Sequence, residues 1–372
     1  MKNRSSCNIA VLSYYLQATL ALLVGWVMLQ AALGSAAKPP AIFILGDSTV
    51  DVGTNSYLQE SRARADFPLY GIDFPHSRPT GRFSNGLNGA DFLARLTGYN
   101  SSPRPFLSLG SPLLSYLRNH AFRGANFASA GSGLLDLTGS ALGVVPLSEQ
   151  VKQFATLQGN LTAVRGSGAT EAMLQKSLFC ISIGSNDLFD YVVSNSSATP
   201  QEFIYLLMKE YENSIKTLYS LGARKFGIIS VPPIGCCPTI RLLGAEGKCS
   251  DALNGLARAF YSALETLLYG IGSELEDLKY SLGNAYLMTI NVINNPQPFH
   301  FTSVDKACCG FGKLNAERGC NATANLCLKR QEYLFWDQFH PTQAAANLAA
   351  NTLYAGPPLY VSPINFAQLV QL

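Results

Sequence analysis

A three-layer α/β/α sandwich around a mainly parallel, five-stranded sheet is the fold class that this 372-residue chain predicts, on three observations. Short apolar runs rich in β-branched residues alternate with longer stretches of helical pattern. The runs lack strict period-two alternation, as expected of strands buried on both faces. No linker or composition break interrupts the series, and 48% hydrophobic residues suffice to fill one sizeable core.

Strands are predicted at residues 41–47 (AIFILGD), 124–128 (GANFA), 178–184 (LFCISIG), 225–231 (KFGIISV) and 285–290 (AYLMTI). Helical patterns cover residues 86–97, 147–164, 200–221, 250–280, with a break expected near Gly270 and Gly272, and 341–355. Some carry their own punctuation: Thr199 is placed to cap a helix that opens on Pro200, and Gly222 stands just past its end.

Residues 1–37 read as a secretory signal, leaving 38–372 as one domain. Met1 to Arg4 carries two positive charges, residues 18–33 are almost uninterrupted apolar, and Ser35-Ala36-Ala37 supplies small residues for cleavage. The competing reading is an uncleaved membrane anchor, against which Gln17, Thr19, Gln30 and the small-residue end argue. No second stretch is suited to crossing a bilayer. Lys+Arg 27 against Asp+Glu 24 is near balance, without basic clusters, which excludes nucleic acid as the expected ligand.

Export implies an oxidising compartment. Of the eight cysteines beyond the signal, Cys308, Cys309, Cys320 and Cys327 form one cluster and Cys236, Cys237 and Cys249 another. Disulfides within each cluster are expected, with Cys180 free as a small buried hydrophobe and one of Cys236 and Cys237 left over. A zinc site is disfavoured because adjacent cysteines chelate a tetrahedral ion poorly and no nearby histidine completes the set. Asn100, Asn160, Asn195 and Asn321 each begin an N-glycosylation tripeptide.

In a parallel sheet, ligands bind beyond the carboxyl ends of the strands. Three glycine-containing polar segments lie there: Gly46-Asp47-Ser48 after the first strand, ASAGSG (128–133) after the second and Gly184-Ser185-Asn186-Asp187 after the third. Turns are rich in these residues in any protein. What separates a site from ordinary turns is FWDQFHPTQ near the C-terminus, where Asp337 precedes His340 by three residues and Pro341 follows. The residue before a proline is held extended, so His340 is expected to project from a loop with Asp337 within reach of its ring.

These stretches resemble the plant secreted esterase/lipases of the GDSL type, within the SGNH hydrolase superfamily. The likeness runs through GDSTVDVGTNSYL (46–58), RPTGRFSNGLNGADFLA (78–94), GANFASAGSGLLD (124–136), ISIGSNDLFDY (181–191), VPPIGC (231–236), KACCG (306–310) and FWDQFHPTQAAANLAA (335–350), in that order. The resemblance implies Ser48 as nucleophile, His340 as base, Asp337 as its orienting acid, and Ser48, Gly131 and Asn186 as oxyanion-hole donors. It also implies a flavodoxin-like three-layer domain and an extracellular location, the apoplast or cell wall in a plant. The implied partner is a small-molecule, lipid or polymer ester, with no metal or organic cofactor and no stable membrane insertion once the signal is removed. Leu45, Thr54 and Ala130 depart from the family pattern; Ala130 replaces the first glycine of a frequent pair and is expected to narrow the pocket beside Gly131.

The chemistry accounts for each role. A serine hydroxyl attacks an ester only when a base takes its proton, and a histidine does so when an acid fixes its tautomer through the other ring nitrogen. The resulting oxyanion needs donors converging on it, and an asparagine amide donates without titrating. The α/β-hydrolase elbow is excluded, since Gly46-Asp47-Ser48-Thr49-Val50 lacks its second glycine. Asp47, adjoining Ser48 in extended chain, is expected to point away from it, and Asp47 and Asp51 are assigned structural hydrogen bonds. Asp187 is assigned to bracing the loop of Asn186, and His76, His120 and His300 to the surface or scaffold. An acyltransferase using the same serine and a non-catalytic binding protein on this fold are the alternative functions.

Overall fold

Five residues, Ile42–Gly46, form the first strand, β1, and every one is buried. Phe43 and Leu45 face one side, among Phe154, Phe179, Phe226 and Phe260, while Ile42 and Ile44 face the other, among Leu178, Cys180, Leu353 and Phe366. A strand covered on both faces has no polar side to show, which is why the sequence carries no alternation. The structure is a computed structural model, and it describes residues 38–110, 117, 122–194 and 196–372. The expected signal segment, residues 1–37, lies outside the described residues, as do Asn195 and His120.

The main sheet contains β1, β2 (Gly124–Asn126), β3 (Leu178–Ser182), β4 (Lys225–Ile229), β5 (Lys279–Gly283) and a last strand, β10 (Val361–Ser362), in the order β10-β5-β4-β3-β1-β2. All pairings are parallel except that of β10 with β5. The three-layer α/β/α reading holds, with six strands in place of five. A two-residue strand is too short to leave a periodic signature, and β10 is that short.

The fifth predicted strand is a correction. AYLMTI (285–290) lies in a helix, Ala285–Asn294, and the strand is KYSLG (Lys279–Gly283) just before it, whose first two residues overlap the end of the helix assigned to 250–280. Asn284 decides the boundary, because its side chain accepts from the Leu287 N–H at 2.9 Å and caps the helix. The preceding helix, Asp251–Glu274, stops earlier than predicted and runs without a break through Gly270 and Gly272.

Helices α1 (Gly89–Leu96), α2 (Leu147–Arg165), α3 (Ser167–Lys176), α4 (Ser185–Val193), α5 (Pro200–Ser220), α6 (Pro238–Leu243), α7 (Asp251–Glu274), α8 (Ala285–Asn294), α9 (Gln343–Ala355) and α10 (Phe366–Gln371) cover the sheet. The apolar faces of α2, α5 and α7 close one side, and those of α1, α9 and α10 the other. Thr199 caps α5 reciprocally with Glu202, as its position before Pro200 predicted. Among the described residues no helix is long and apolar enough to cross a membrane.

Near the C-terminus, β6 (Ser303–Ala307) pairs in parallel with β9 (Tyr333–Phe335), and β7 (Cys309–Gly310) pairs with β8 (Asn325–Leu326). Disulfides Cys308–Cys327 and Cys309–Cys320 staple this region and Cys236–Cys249 the segment after β4, leaving Cys180 and Cys237 as buried thiols. The Cys308 and Cys309 N–H groups donate to the Phe335 and Trp336 carbonyls at 3.0 and 2.7 Å. The stapled region therefore grips the chain directly ahead of Asp337.

Candidate active site

Gly46, at the end of β1, has φ 145°, and a Cβ there would lie 2.1 Å from the Ser182 carbonyl oxygen. Only glycine fits this close approach of β1 to β3. Gln150, fully buried on α2, accepts from the Gly46 N–H at 2.8 Å and donates to the Gly46 carbonyl at 2.9 Å. Its amide thus satisfies the backbone at the point where the chain leaves the sheet. Asp47 is buried and opens a turn where extended chain was expected, its carbonyl accepting from the Val50 and Asp51 N–H groups at 3.2 and 3.0 Å and its Oδ1 from the Thr49 N–H and hydroxyl at 2.9 and 2.7 Å.

Ser48 then meets His340. The His340 Nε2 lies 2.8 Å from Ser48 Oγ, and its Nδ1 is 2.8 Å from both carboxylate oxygens of Asp337. Asp337 also accepts from the N–H groups of Phe339 and His340 at 2.9 and 2.8 Å, while the Trp336 N–H donates to the His340 carbonyl at 2.7 Å. Residues 336–340 form a closed turn whose acid caps its own backbone and faces the ring. Pro341 does not open the helix: α9 starts at Gln343 under a Thr342 cap, because the strand-like bridge between Phe335 and Pro341 intervenes. Burial pushes the Asp337 carboxyl upward, but the His340 charge and the donors around it outweigh this and hold it below the usual carboxylate value.

The other two expected donors sit on two segments tied to each other. Asn186 stands in the first turn of α4, and its Nδ2 donates to the Ser132 carbonyl at 2.8 Å. Asp187 accepts from the Leu134 and Leu135 N–H groups and the Thr138 hydroxyl at 2.9, 3.0 and 2.8 Å. It therefore braces the loop after β2, which carries Gly131, and not the loop of Asn186 to which the sequence assigned it. The Ser48 and Gly131 N–H groups have no acceptor among the described residues.

Gly131 is fixed from behind by residues that the sequence did not single out for it. Asn55, buried after β1, donates to the Ala63 and Ala130 carbonyls, both at 2.9 Å, and accepts from the Ser129 hydroxyl at 2.6 Å. Asp51 accepts from the Gly53, Thr54 and Ala130 N–H groups at 2.7, 2.7 and 3.0 Å. Since a trans peptide points its C=O and N–H oppositely, holding the Ala130 carbonyl at Asn55 directs the Gly131 N–H away from it. Burial pushes both Asp51 and Asp187 up to about 6, the donors offsetting only part of the effect. Their companion in the acid position, Tyr70, donates its hydroxyl to Asp337 Oδ2 at 2.7 Å and also escaped the sequence reading. It sits 267 residues from Asp337 along the chain, so no local motif links them.

His76 and His300 are exposed, and Asp73, three residues before His76, accepts instead from Arg330 at 2.7 and 2.6 Å and from the Asn85 amide at 2.7 Å. Asn100 and Asn321 are exposed, and Asn321 Oδ1 accepts from the Thr323 N–H and hydroxyl, both at 2.9 Å. Asn160 instead lies inside α2, half-buried, with its amide donating to the Thr156 carbonyl. No group of three metal-ligating side chains occurs among the described residues.

Residues 42–353 match the sequence model of the family described as GDSL-like lipase/acylhydrolase. Two GDSL esterase/lipases of Arabidopsis thaliana are 38% and 37% identical, over 92% and 100% of this chain and 93% and 99% of their own. GDSL esterase/lipase LTL1 of the same plant is 35% identical over 95% of this chain and 97% of its own. With matches of that identity along nearly its full length, this chain belongs to the GDSL-like lipase/acylhydrolase family and is a carboxylic ester hydrolase.

Proposed function

We propose that the protein is a secreted serine esterase acting through an acyl-enzyme. The observation that carries the reading is the chain of contacts from Asp337 through His340 to Ser48, each at 2.8 Å. Ser48 Oγ attacks the ester carbonyl carbon while His340 Nε2 takes its proton. The tetrahedral oxyanion is received by the N–H groups of Ser48 and Gly131 and the free amide hydrogen of Asn186. The carbonyl re-forms, the alcohol leaves with the proton from His340, and the acyl group remains on Ser48. Water then attacks that ester, giving its proton to His340, and the acid departs as Ser48 recovers its hydrogen. Asp337 stays ionised and stabilises the imidazolium at both stages.

Apolar side chains border this path. Leu142 and Val144 stand against Gly131, and Phe339, which packs on Phe189, adjoins His340. They suit an ester with an apolar acyl group, free or within a lipid or polymer. Secretion is supported by the charged and apolar N-terminus and by three disulfides. The mature chain then starts near Lys38 and carries glycan at Asn100 or Asn321.

The test is covalent labelling with a fluorophosphonate, which needs an activated hydroxyl. Wild type should label at Ser48, His340→Ala much more slowly, and Ser48→Ala not at all. Equal labelling of Ser48→Ala and wild type would overturn the assignment.

A further inference from the structure

The segment between β1 and α1, whose regular structure is two short 3-10 turns at Thr54–Tyr57 and Pro75–Ser77, delivers one buried hydroxyl to the acid. Tyr70 is flanked by two residues in the left-handed region, Leu69 at φ 81° and Gly71 at φ 68°. Leucine adopts that conformation only at a cost, and a Cβ on Gly71 would lie 2.3 Å from the Arg78 carbonyl oxygen. The chain is held in this form by the Gly71 N–H donating to the Ser84 carbonyl at 2.9 Å. The ring is walled by Phe67, Phe83 and Trp336 at centroid distances of 5.2, 5.7 and 6.3 Å, and Phe83 in turn lies 4.7 Å from the His340 ring.

Hydrogen bonding divides unequally over the Asp337 carboxylate. Oδ1 accepts from two backbone N–H groups, whereas Oδ2 has Tyr70 as its one partner besides the imidazole. Burial and the adjacent carboxylate keep the phenol protonated far above the ordinary tyrosine range, so it donates at every working pH.

We propose that Tyr70 is a positioning residue for the reaction: its phenol pins Oδ2 of Asp337, fixing the carboxylate against the His340 ring and sharing its charge. The inference rests on Ser48, His340 and Asp337 acting as assigned above. With the phenol in place, the carboxylate orients the ring but binds the imidazolium less tightly, leaving His340 able to pass its proton to the leaving alcohol. Without it, Oδ2 turns its full charge on the imidazolium and the base becomes harder to regenerate. Two other titratable groups face this pair. Asp47 interacts with His340 from the end of β1, and the Cys237 thiol, itself near Arg241, faces Asp337 with burial pushing it up to about 12. Both are the same in wild type and in a Tyr70 variant.

Tyr70→Phe keeps the ring and removes only the donor; Phe67→Leu removes packing on that ring and keeps the donor. Both are compared with wild type on an unactivated alkyl ester, whose alcohol leaves only with a proton, with Ser48 titrated by fluorophosphonate and kcat and KM followed against pH. The expected result for Tyr70→Phe is kcat about tenfold lower with KM unchanged, the size of one hydrogen bond to a charged group. Its acidic limb of kcat/KM should move up by about half a pH unit. Phe67→Leu should melt earlier with the limb in place. A Tyr70→Phe enzyme with wild-type kcat and an unmoved limb overturns the inference, as does a Phe67→Leu enzyme that reproduces the limb shift. Failure of wild type to label at Ser48 would instead overturn the underlying assignment.

Discussion

Asn186 is the residue at which a catalytic and a merely structural role make different demands. Its Nδ2 carries two hydrogens, and one is committed to the Ser132 carbonyl at 2.8 Å. Replacing it by alanine removes both. Loss of the committed hydrogen bond costs about 1 kcal/mol of stability, which for a domain of this size lowers Tm by about 2 °C. Loss of the second, as proposed oxyanion donor, lowers kcat by about 10²- to 10³-fold, or roughly 3 to 4 kcal/mol. KM should change little, since the donor acts chiefly once the carbonyl oxygen becomes tetrahedral and charged. Asn186→Asp keeps the shape but turns a donor into an anion, and should be at least as slow. The assay is kcat on a chromogenic ester, per titrated Ser48, beside thermal melts of the same samples. Asp187→Ala is the contrasting variant: it strips the partner from two backbone N–H groups and one hydroxyl on the 134–138 segment, so its cost should fall first on Tm. An Asn186→Ala enzyme within about threefold of wild-type kcat, well short of the oxyanion-hole magnitude, would remove Asn186 from the site.

Three further outcomes are expected. Arg82 donates from Nε and a terminal nitrogen to Asp91 at 2.6 and 2.8 Å, both side chains buried; Arg82→Ala strands that carboxylate and should cost about 3 to 5 kcal/mol in urea unfolding, so a loss below 1 kcal/mol would contradict the pairing. Cys309→Ala with Cys320→Ala opens a loop of sequence separation 11 and should lower stability by about 3 kcal/mol, while the Cys309 N–H bond to the Trp336 carbonyl, a backbone contact, is kept; an unchanged melting curve would refute it. Asp51 and Asp187, pushed by burial from 3.8 to about 6, bind their protons more tightly in the folded state. Their contribution is complete below the unfolded value and is lost as pH rises from about 4 to 6, by up to about 3 kcal/mol each. Asp337, held low, acts in the opposite sense only at lower pH. Tm should therefore be higher at pH 5 than at pH 7.5, and a Tm that climbs across that interval would contradict the sign.

What the sequence could determine by itself was whatever local chemistry writes into consecutive residues. β1, β3 and β4 were readable because a doubly buried strand must be an apolar run, and α5 because Thr199, Pro200 and Glu202 build its cap in four residues. The Asp337–His340 pair was readable for the same reason: three residues of turn bring the acid to its ring whatever the rest of the chain does. Where local signals competed, the sequence misled. AYLMTI is as apolar as a strand, and only the Asn284 cap and the parallel partner of KYSLG across β4 decide between them. Tertiary structure alone decided the contacts that join distant segments. The register Gly46 to Ser182 brings the loops after β1 and β3 level; Gln150 reaches Gly46, Asn55 reaches Ala130, and Tyr70 reaches Asp337 across separations of 104, 75 and 267 residues. Such bonds follow from strand order and from buried polar groups that must find partners, and neither leaves a pattern in neighbouring residues.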